Sequence, residues 1–306
     1  MSRLSRRQFL CKASRGTMGV AVSGSLIAAS PISGRPRVVI VRSISPVRVP
    51  LLLDMLEVGL MRLTSAGEYR AALSCLFRPE DRIGVKVSVM PPGTHLELAN
   101  AMGHLLHTWG LPDERLLFWD RTLHGFGERG MERLKPGAGF DDAVSRPVTR
   151  FATSLVNLPR LKAHWLSGMS GALKNWAGAV DGINIDDKDT LFPIHGDHCA
   201  RVGILQALPQ IRSRCRLIVM DALRPLCSGS PHVNERYFWD ARCLIFGTDP
   251  VAVDRVGLEL LQEGQKRINC QDPSLLSESR HIFIADERLG LGESRLSEID
   301  ICEEVV

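Results

Sequence analysis

The chain has 306 residues, of which 44% are hydrophobic and 24% are charged, and its formal net charge is +4. Much of this charge comes from five basic side chains among the first fifteen residues, so the remainder is near neutral and lacks the strongly basic character of nucleic-acid-binding proteins. Its eight cysteines form no C-x-x-C pair, which excludes a ferredoxin-type cluster motif and a zinc ribbon.

The first thirty residues have the pattern of an export signal. The run Ser5-Arg6-Arg7-Gln8-Phe9-Leu10 is followed by the uncharged, small-residue segment Gly16–Ala29. This pattern resembles a twin-arginine translocation signal, with Cys11 as its one departure, and such signals export proteins that are already folded. We therefore predict a signal peptide over residues 1–33, with Arg6 and Arg7 as its recognition pair. The implied partner is the twin-arginine translocase, and the implied location is the periplasm.

The sequence leaves open whether this signal is cleaved. The run Ala28-Ala29-Ser30 fits a cleavage site, but Pro31 would follow the cut and disfavours it. An uncleaved signal would anchor the protein in the membrane. In either case, we predict that residues 34–306 form one large domain.

The first part of this domain predicts alternating strands and helices. Apolar or alternating runs predict three strands: Arg37–Val41, Arg82–Val89 and Arg115–Trp119. Apolar residues at helical spacing predict a helix over 50–63 and a second one that begins at Thr94, with Glu97 in capping-box position, and stops at Gly110. A strand, a helix and a strand in this order predict a parallel pair with a right-handed crossover.

The second part continues the alternation. Four more strands are predicted: Phe151–Val156, Arg216–Met220, Arg242–Phe246 and His281–Ala285. A helix is predicted over Val202–Ile211, ended or kinked by Pro209, and another is capped by Asp249 with Pro250 at its first position. The segment Gly125–Ala143 predicts a loop or insertion. The whole pattern predicts an α/β fold, a single large domain with a mostly parallel, helix-flanked sheet.

One segment, Leu158–Asp181, concentrates the polar residues that could carry chemistry. Lys162 and His164 are two apart and share a face of an extended stretch. Lysines beside the exposed N–H groups of a helix start suit a phosphate or a carboxylate. The alternative is a glycine-rich helix packed tightly on the sheet, with its lysines in solvent.

In parallel sheets, ligands bind just beyond the carboxyl ends of the strands. That rule selects Asp120, Asp221 and Asp249 as crevice residues. We predict the following catalytic residues: Lys162, His164, Lys174 and Asn175. We predict the following substrate-binding residues: Gly168, Ser170, Gly171, Asp221 and Asp249.

The run LPRLKAHWLSGMSGALKNWAG, residues 158–178, resembles the signature of the family called domain of unknown function 362, which has L-P-K-L-K-T-H followed by G-x-(S/T)-G-A-L-K-N. The later DPVAVD run, residues 249–254, is similar to that family's D-P-V-A-x-D block, and the strand with Lys86 fits its opening half. The resemblance extends over residues 38–262. It implies little chemistry, because the family has no general activity, and this chain lacks the cysteine-rich module that many members add.

A second constellation is the run Asp186-Asp187-Lys188-Asp189, followed by His195-Gly196-Asp197-His198. With His164, its two histidines could form a three-histidine site that binds a transition metal as a cofactor and leaves one position open. The alternative is a solvated loop in which His195 and His198 have no special role.

Two functions follow from these observations. The first is a periplasmic metal- or cofactor-dependent enzyme that acts on a small anionic substrate, with its site between Lys162–Asn175 and His195–His198. The second is a non-catalytic periplasmic protein that binds a ligand or takes part in cofactor maturation.

Overall fold

The computed structural model describes residues 34–121, 139–141, 143–180, 194–229, 232–270, 272 and 274–306. The predicted signal peptide and most of the predicted Gly125–Ala143 loop lie outside these ranges. In the described ranges, no helix is both long enough and apolar enough to cross a membrane.

The elements alternate along the chain much as the sequence predicts. The strands are β1 (Arg37–Arg42), β2 (Ile83–Val87), β3 (Leu116–Trp119), β4 (Phe140–Asp141), β5 (Val144–Ser145), β6 (Ser154–Leu158), β7 (Arg160–His164), β8 (Gly168–Ser170), β9 (Cys215–Leu226), β10 (Cys243–Gly247) and β11 (Asp300–Val305). The α-helices are α1 (Val49–Thr64), α2 (Tyr69–Leu76), α3 (Leu96–Trp109), α4 (Ala172–Asn175), α5 (Pro209–Arg212), α6 (Pro250–Arg267), α7 (Ser274–Glu278) and α8 (Arg280–Glu287).

Nine of the described strands form one sheet. Its order is β11-β1-β10-β9-β6-β2-β3, and β7 pairs with both β9 and β8. Strand β10 is antiparallel to β1 and β9, and β8 is antiparallel to β7. The other pairings in this sheet are parallel. The predicted mostly parallel, helix-flanked sheet is therefore confirmed, as is the parallel pairing of β2 with β3 across helix α3.

Alternating side chains of the strands supply a core on each face of the sheet. On one face, Val39, Val85 and Val219 pack with residues of α1, α2 and α3. On the other face, Ile218 and Ile245 pack with residues of α6 and α8. Each fully buried aliphatic side chain contributes roughly 1.5–3 kcal/mol. Helices therefore cover both faces of the sheet.

The predicted helix caps are confirmed at two positions and wrong at a third. Gly110 ends α3 in the left-handed region with φ 115°, and the Asp249 carboxylate accepts from the backbone N–H groups of Val251 and Ala252 at the start of α6. Thr94 does not cap α3. Its hydroxyl instead accepts from Ser88 N at 2.9 Å and donates to Leu158 O at 2.8 Å, which ties β2 to β6.

Two predicted elements have a different secondary structure. The run His281–Ala285 lies in helix α8, because a short apolar run does not separate a strand from a buried helix turn. The predicted helix Val202–Ile211 is a 3-10 helix over Val202–Leu205, and Pro209 begins α5 rather than ending a helix. Proline is well suited to a first helical position, where its missing N–H group costs nothing.

Candidate functional site

The carboxyl ends of β2 and β3 carry a buried ion pair. Lys86 on β2 is 1% exposed, and its Nζ lies 2.7 Å from Asp120 Oδ1, just beyond β3. The other carboxylate oxygen of Asp120 accepts from Val89 N at 2.8 Å. Burial lowers the pKa of Lys86, and Asp120 opposes that shift. Asp120 thus lies at the predicted edge, but its charge is already neutralised by a residue of the protein.

An amide network connects this pair to the predicted catalytic segment. Asn175 Nδ2 donates to Lys86 O at 3.1 Å and to Asn157 Oδ1 at 2.7 Å, and its Oδ1 lies 3.4 Å from Lys86 Nζ. Asn157 in turn donates to Ala172 O at 2.9 Å. Because these bonds occupy both donors of the Asn175 amide, this residue positions the segment rather than offering a free group to a substrate.

Lys162 on β7 is 3% exposed and lies against the turn after β2. Its Nζ donates to the carbonyl oxygens of Met90 at 2.6 Å, Pro92 at 3.1 Å and Pro91 at 3.4 Å. Burial, together with the positive charges of Lys174 and Arg160, lowers the pKa of Lys162 to about 7. A pKa in this range is the one that acid–base catalysis near neutral pH needs.

Lys174 on α4 is a second buried lysine of this segment. It is 8% exposed, and among the described residues no group forms a hydrogen bond or ion pair with its Nζ. Burial lowers the pKa of Lys174. His281, which is fully buried, lies within electrostatic range of Lys174, and no described group hydrogen-bonds to either of its ring nitrogens. Buried polar atoms without partners, such as these two ring nitrogens of His281, are unusual in proteins and indicate a ligand or water at the site.

His164 is held in one neutral tautomer. Its Nδ1 accepts from the backbone N–H groups of Leu166 at 3.2 Å and Ser167 at 3.3 Å, so the ring proton lies on Nε2. Burial, and then the charges of Lys174 and Lys162, lower its pKa far below the usual range. A histidine in this state offers an N–H donor to a ligand, and it has no free lone pair for a metal.

The predicted three-histidine metal site receives no support from the geometry. His195 lies within electrostatic range of His164, but His198 is directed to Glu278, with Nδ1 2.7 Å from Oε2. In the described parts of the chain, no three His, Cys, Asp or Glu side chains are grouped so that they could hold a metal ion. The tautomer of His164, with Nδ1 occupied by two backbone N–H groups, disfavours this histidine as a metal ligand.

The predicted substrate-binding glycines have a packing role. A Cβ at Gly171 would lie 2.2 Å from Asp254 Oδ1, and one at Gly168 would lie 2.4 Å from Ser279 Oγ. Gly168 also has φ 70°, in the left-handed region. Ser170, between them, pairs through its backbone with Lys162 in the β7–β8 ladder. The alternative of a glycine-rich segment packed tightly on the fold therefore holds for these glycines.

Asp254 on α6 anchors this segment, and the sequence analysis did not select it. It is fully buried, and its carboxylate accepts from the backbone N–H groups of Ala172 and Leu173. Burial raises the pKa of Asp254 to about 7, against the effect of these hydrogen bonds. The DPVAVD run contained the only sequence signal for this residue, since its final Asp lies five residues after the capping Asp249.

The other two predicted aspartates do not join the lysines. Asp221 on β9 is fully buried, and its Oδ2 lies 3.2 Å from Arg160 Nη1 and 2.9 Å from His95 Nδ1. The neighbouring residues Val219 and Leu223 belong to the α1–α3 core, so Asp221 points to that face of the sheet. Asp249 follows β10, which is antiparallel to β9, and therefore lies at the opposite edge. Its role is to cap α6.

Four cations of the described chain thus lie near the carboxyl edge with two buried carboxylates. Asp120 pairs with Lys86 and Asp221 pairs with Arg160, whereas Lys162 and Lys174 are paired with no carboxylate in that part of the chain. We call the region lined by Lys162, Lys174, His164 and His281 the basic crevice. Its excess of positive charge suits an anion.

One known protein family matches the part of the chain that contains the basic-crevice lysines. Residues 124–259 match the model of the family described as domain of unknown function, DUF362. This match contains the basic-crevice lysines and the DPVAVD run, and so it confirms that part of the resemblance expected over residues 38–262. The family description gives no activity.

Similarity to individual proteins is slight. A crystal structure of a protein from Thermotoga maritima aligns with 72% of this chain at 12% sequence identity and a TM-score of 0.43. The chain spans 60% of the length of that protein. No curated protein sequence matches the chain.

Proposed function

We propose that the protein is an exported enzyme that acts on a small anionic substrate bound in the basic crevice. The observation that carries the proposal is Lys174, a buried cation with no hydrogen-bond or ion-pair partner among the described residues. An unpaired buried charge is costly to a fold, by several kcal/mol. Binding of an oppositely charged ligand to such a charge offsets this destabilisation.

The neighbouring groups supply the chemistry of the proposed site. Lys174 binds the anionic group, and the Nε2–H of His164 donates a hydrogen bond to the same ligand. Lys162, whose pKa is about 7, gives or takes a proton. Its proton transfer is matched to neutral pH, which contributes typically 10²–10⁴-fold to a rate. The proposed mechanism depends on these lysines and not on the three-histidine metal site.

Export is part of the proposal and rests on the twin-arginine pattern at Arg6 and Arg7. The near-neutral composition of residues 34–306 agrees with a substrate that is a small molecule rather than a nucleic acid. A fusion of residues 1–33 to a reporter that is active only in the periplasm tests this part. Replacement of both arginines by lysine is expected to abolish the reporter signal, and an unchanged signal would refute twin-arginine export.

A second function, a non-catalytic ligand-binding or cofactor-maturation protein, is favoured by one observation. Three backbone carbonyl groups surround Lys162 Nζ at 2.6–3.4 Å. They match the three N–H donors of an ammonium group. In this alternative, Lys162 stays protonated and holds the 90–92 turn in place, while Lys174 alone binds the anion.

The experiment that tests the proposal starts with binding. Thermal denaturation of the purified protein is measured with phosphate, sulfate and small mono- and dicarboxylates, since a ligand at 100 times its Kd adds about 2.7 kcal/mol of stability. The Lys174→Met variant is expected to be more stable than the wild type without ligand, because the buried charge is gone, and to show no response to the anion.

The matched control is Lys266→Met, which removes an exposed lysine of α6. It is expected to respond to the anion as the wild type does. A Lys174→Met variant that retains the full response would refute the proposed site. If an anion binds through Lys174 but no turnover is found among its analogues, the non-catalytic alternative is the correct one.

A further inference from the structure

A cavity lies on the other face of the sheet from Lys174, where the strands adjoin helices α1 and α3. Its volume is about 410 Å³, within the range of small-molecule sites of roughly 300–1,000 Å³. Its lining includes an apolar part from Val47, Leu52 and Leu223, and a polar part from His95 and four charged side chains. Leu52 and Leu223 belong to the core cluster, so the apolar part is built into the fold.

Two long helices begin at this cavity. Arg48 is the N-cap of α1 and His95 is the N-cap of α3, and the side chain of neither residue accepts from the N–H groups of the first turn. Both residues line the cavity. The first turn of α1 contains no acidic side chain. Free N–H groups and the helix dipole at such ends favour a carboxylate or another anion.

Buried contacts fix the position of the second helix end. Asp221 Oδ2 accepts from His95 N at 2.7 Å, and the His95 ring Nδ1 lies 2.9 Å from the same oxygen. Arg160, which is 3% exposed, pairs with Asp221 through Nη1 and Oδ2 at 3.2 Å. The start of α3 is therefore held by a fully buried carboxylate, and the cavity wall at His95 is preorganised.

The charges on the lining have both signs. Arg48 and Arg242 supply positive charge, while Glu97 and Asp240 supply negative charge. Asp240 is paired with Arg224 at 3.1 Å, and Arg242 donates to Ile44 O at 2.9 Å. Among the described residues, no group forms a hydrogen bond or ion pair with the side chain of Arg48 or Glu97. In the described part of the chain, Arg48 and Glu97 thus supply one unpaired positive and one unpaired negative group to a cavity whose wall is partly apolar.

We propose that this cavity is a second ligand site, which binds a small zwitterion of the amino-acid type with an apolar side chain. The ligand carboxylate binds at Arg48 and the start of α1. The ligand ammonium group binds at Glu97, and the apolar side chain packs on Leu52 and Leu223. This site is independent of the basic crevice, because it shares none of Lys162, Lys174, His164 and His281 with it.

The test uses L-leucine and its two halves as probes in titration calorimetry. We use 4-methylpentanoate, which lacks the ammonium group, and 3-methylbutylamine, which lacks the carboxylate. L-Leucine is expected to bind the wild type, and each half at least tenfold more weakly. Arg48→Gln and Glu97→Gln are each expected to weaken leucine binding at least tenfold. Both positions are exposed, so the variants are expected to keep the fold.

Matched controls are Arg288→Gln and Glu287→Gln, which change exposed residues at the end of α8 and are expected to bind leucine as the wild type does. The Lys174→Met variant is also expected to bind leucine normally, which separates this site from the proposed function. The proposal is overturned if leucine does not bind, if it binds Arg48→Gln and Glu97→Gln unchanged, or if 4-methylpentanoate binds as tightly as leucine.

Discussion

Replacing Asp120 by Asn tests the electrostatics of the carboxyl edge. The substitution keeps the size of the side chain but removes the charge that lies 2.7 Å from Lys86 Nζ. Lys86 is 1% exposed and Asp120 is 6% exposed, so water cannot take over the lost interaction. The Lys86 ammonium group is left with Val87 O at 2.6 Å and Asn175 Oδ1 at 3.4 Å as its acceptors.

The magnitude follows from two estimates that agree. Removing one partner of a buried ion pair typically costs about 3–5 kcal/mol. The loss is also limited, because Lys86 can lose its proton instead of remaining charged. With an unfolded pKa of about 10.4 and about 1.36 kcal/mol per unit, deprotonation at pH 7 costs about 4.6 kcal/mol. We therefore expect Asp120→Asn to lower the free energy of unfolding by about 3–5 kcal/mol at pH 7.

The sign of the pH dependence is a second part of this prediction. When the folded pKa of a lysine lies below its unfolded value, the unfolded state binds more protons, and stability rises with pH between the two values. The deficit of Asp120→Asn is therefore expected to shrink by up to about 1.4 kcal/mol per unit from pH 7 to 9. Urea denaturation at pH 7 and pH 9 measures this stability deficit. Lys86→Met and the double variant Lys86→Met with Asp120→Asn complete a mutant cycle. A deficit below about 1 kcal/mol at pH 7, or one that does not shrink at pH 9, would refute the reasoning.

Three further predictions concern the segment around the basic crevice. Anion binding raises the lowered pKa of Lys162, so binding is expected to be coupled to the uptake of a proton and to weaken by up to about tenfold per pH unit above pH 7. Calorimetry in buffers of different ionisation heat measures the proton uptake, and an affinity that is independent of pH from 7 to 9 would contradict this role. Asp254→Asn places an NH₂ group against a backbone N–H group of Ala172 or Leu173. At pH 8 it is expected to lower the free energy of unfolding, measured by urea denaturation, by about 1–3 kcal/mol. A smaller decrease than that caused by a surface Asp→Asn control would contradict the anchoring role. Gly178→Ala places a Cβ 2.0 Å from Asp120 Oδ1. It is expected to lower the free energy of unfolding in urea by about 1–3 kcal/mol. A variant as stable as the wild type would show that Asp120 moves away from the new Cβ at no cost.

The sequence predicted the sheet because its signals are local. Runs of β-branched residues separated by one helix predicted β2, α3 and β3, and Gly110 and Asp249 are caps that act within one turn. The run His281–Ala285 was predicted as a strand, because five apolar-rich residues contain no period that separates a strand from a buried helix. Its assignment depends on packing against α6, which is not a local property.

The site was predicted only in part for the same reason. The segment Leu158–Asp181 brought Lys162, His164 and Lys174 together in sequence, and the structure keeps them within electrostatic range. Lys86 comes from a distant strand, and no local pattern shows that it pairs with Asp120. The predicted histidine metal site stays a prediction without geometric support, because His164 Nδ1 accepts from two backbone N–H groups, and these contacts are visible only in three dimensions.

The central claim is that Lys174 binds a small anion, and calorimetric titration tests it most directly. The anion that stabilises the protein most in the thermal assay is titrated into the wild type, Lys174→Met and Lys266→Met. The account predicts one site per chain in the wild type and in Lys266→Met, and binding at least tenfold weaker in Lys174→Met. Equal affinity in all three proteins, or no binding of any small anion to the wild type, would contradict it.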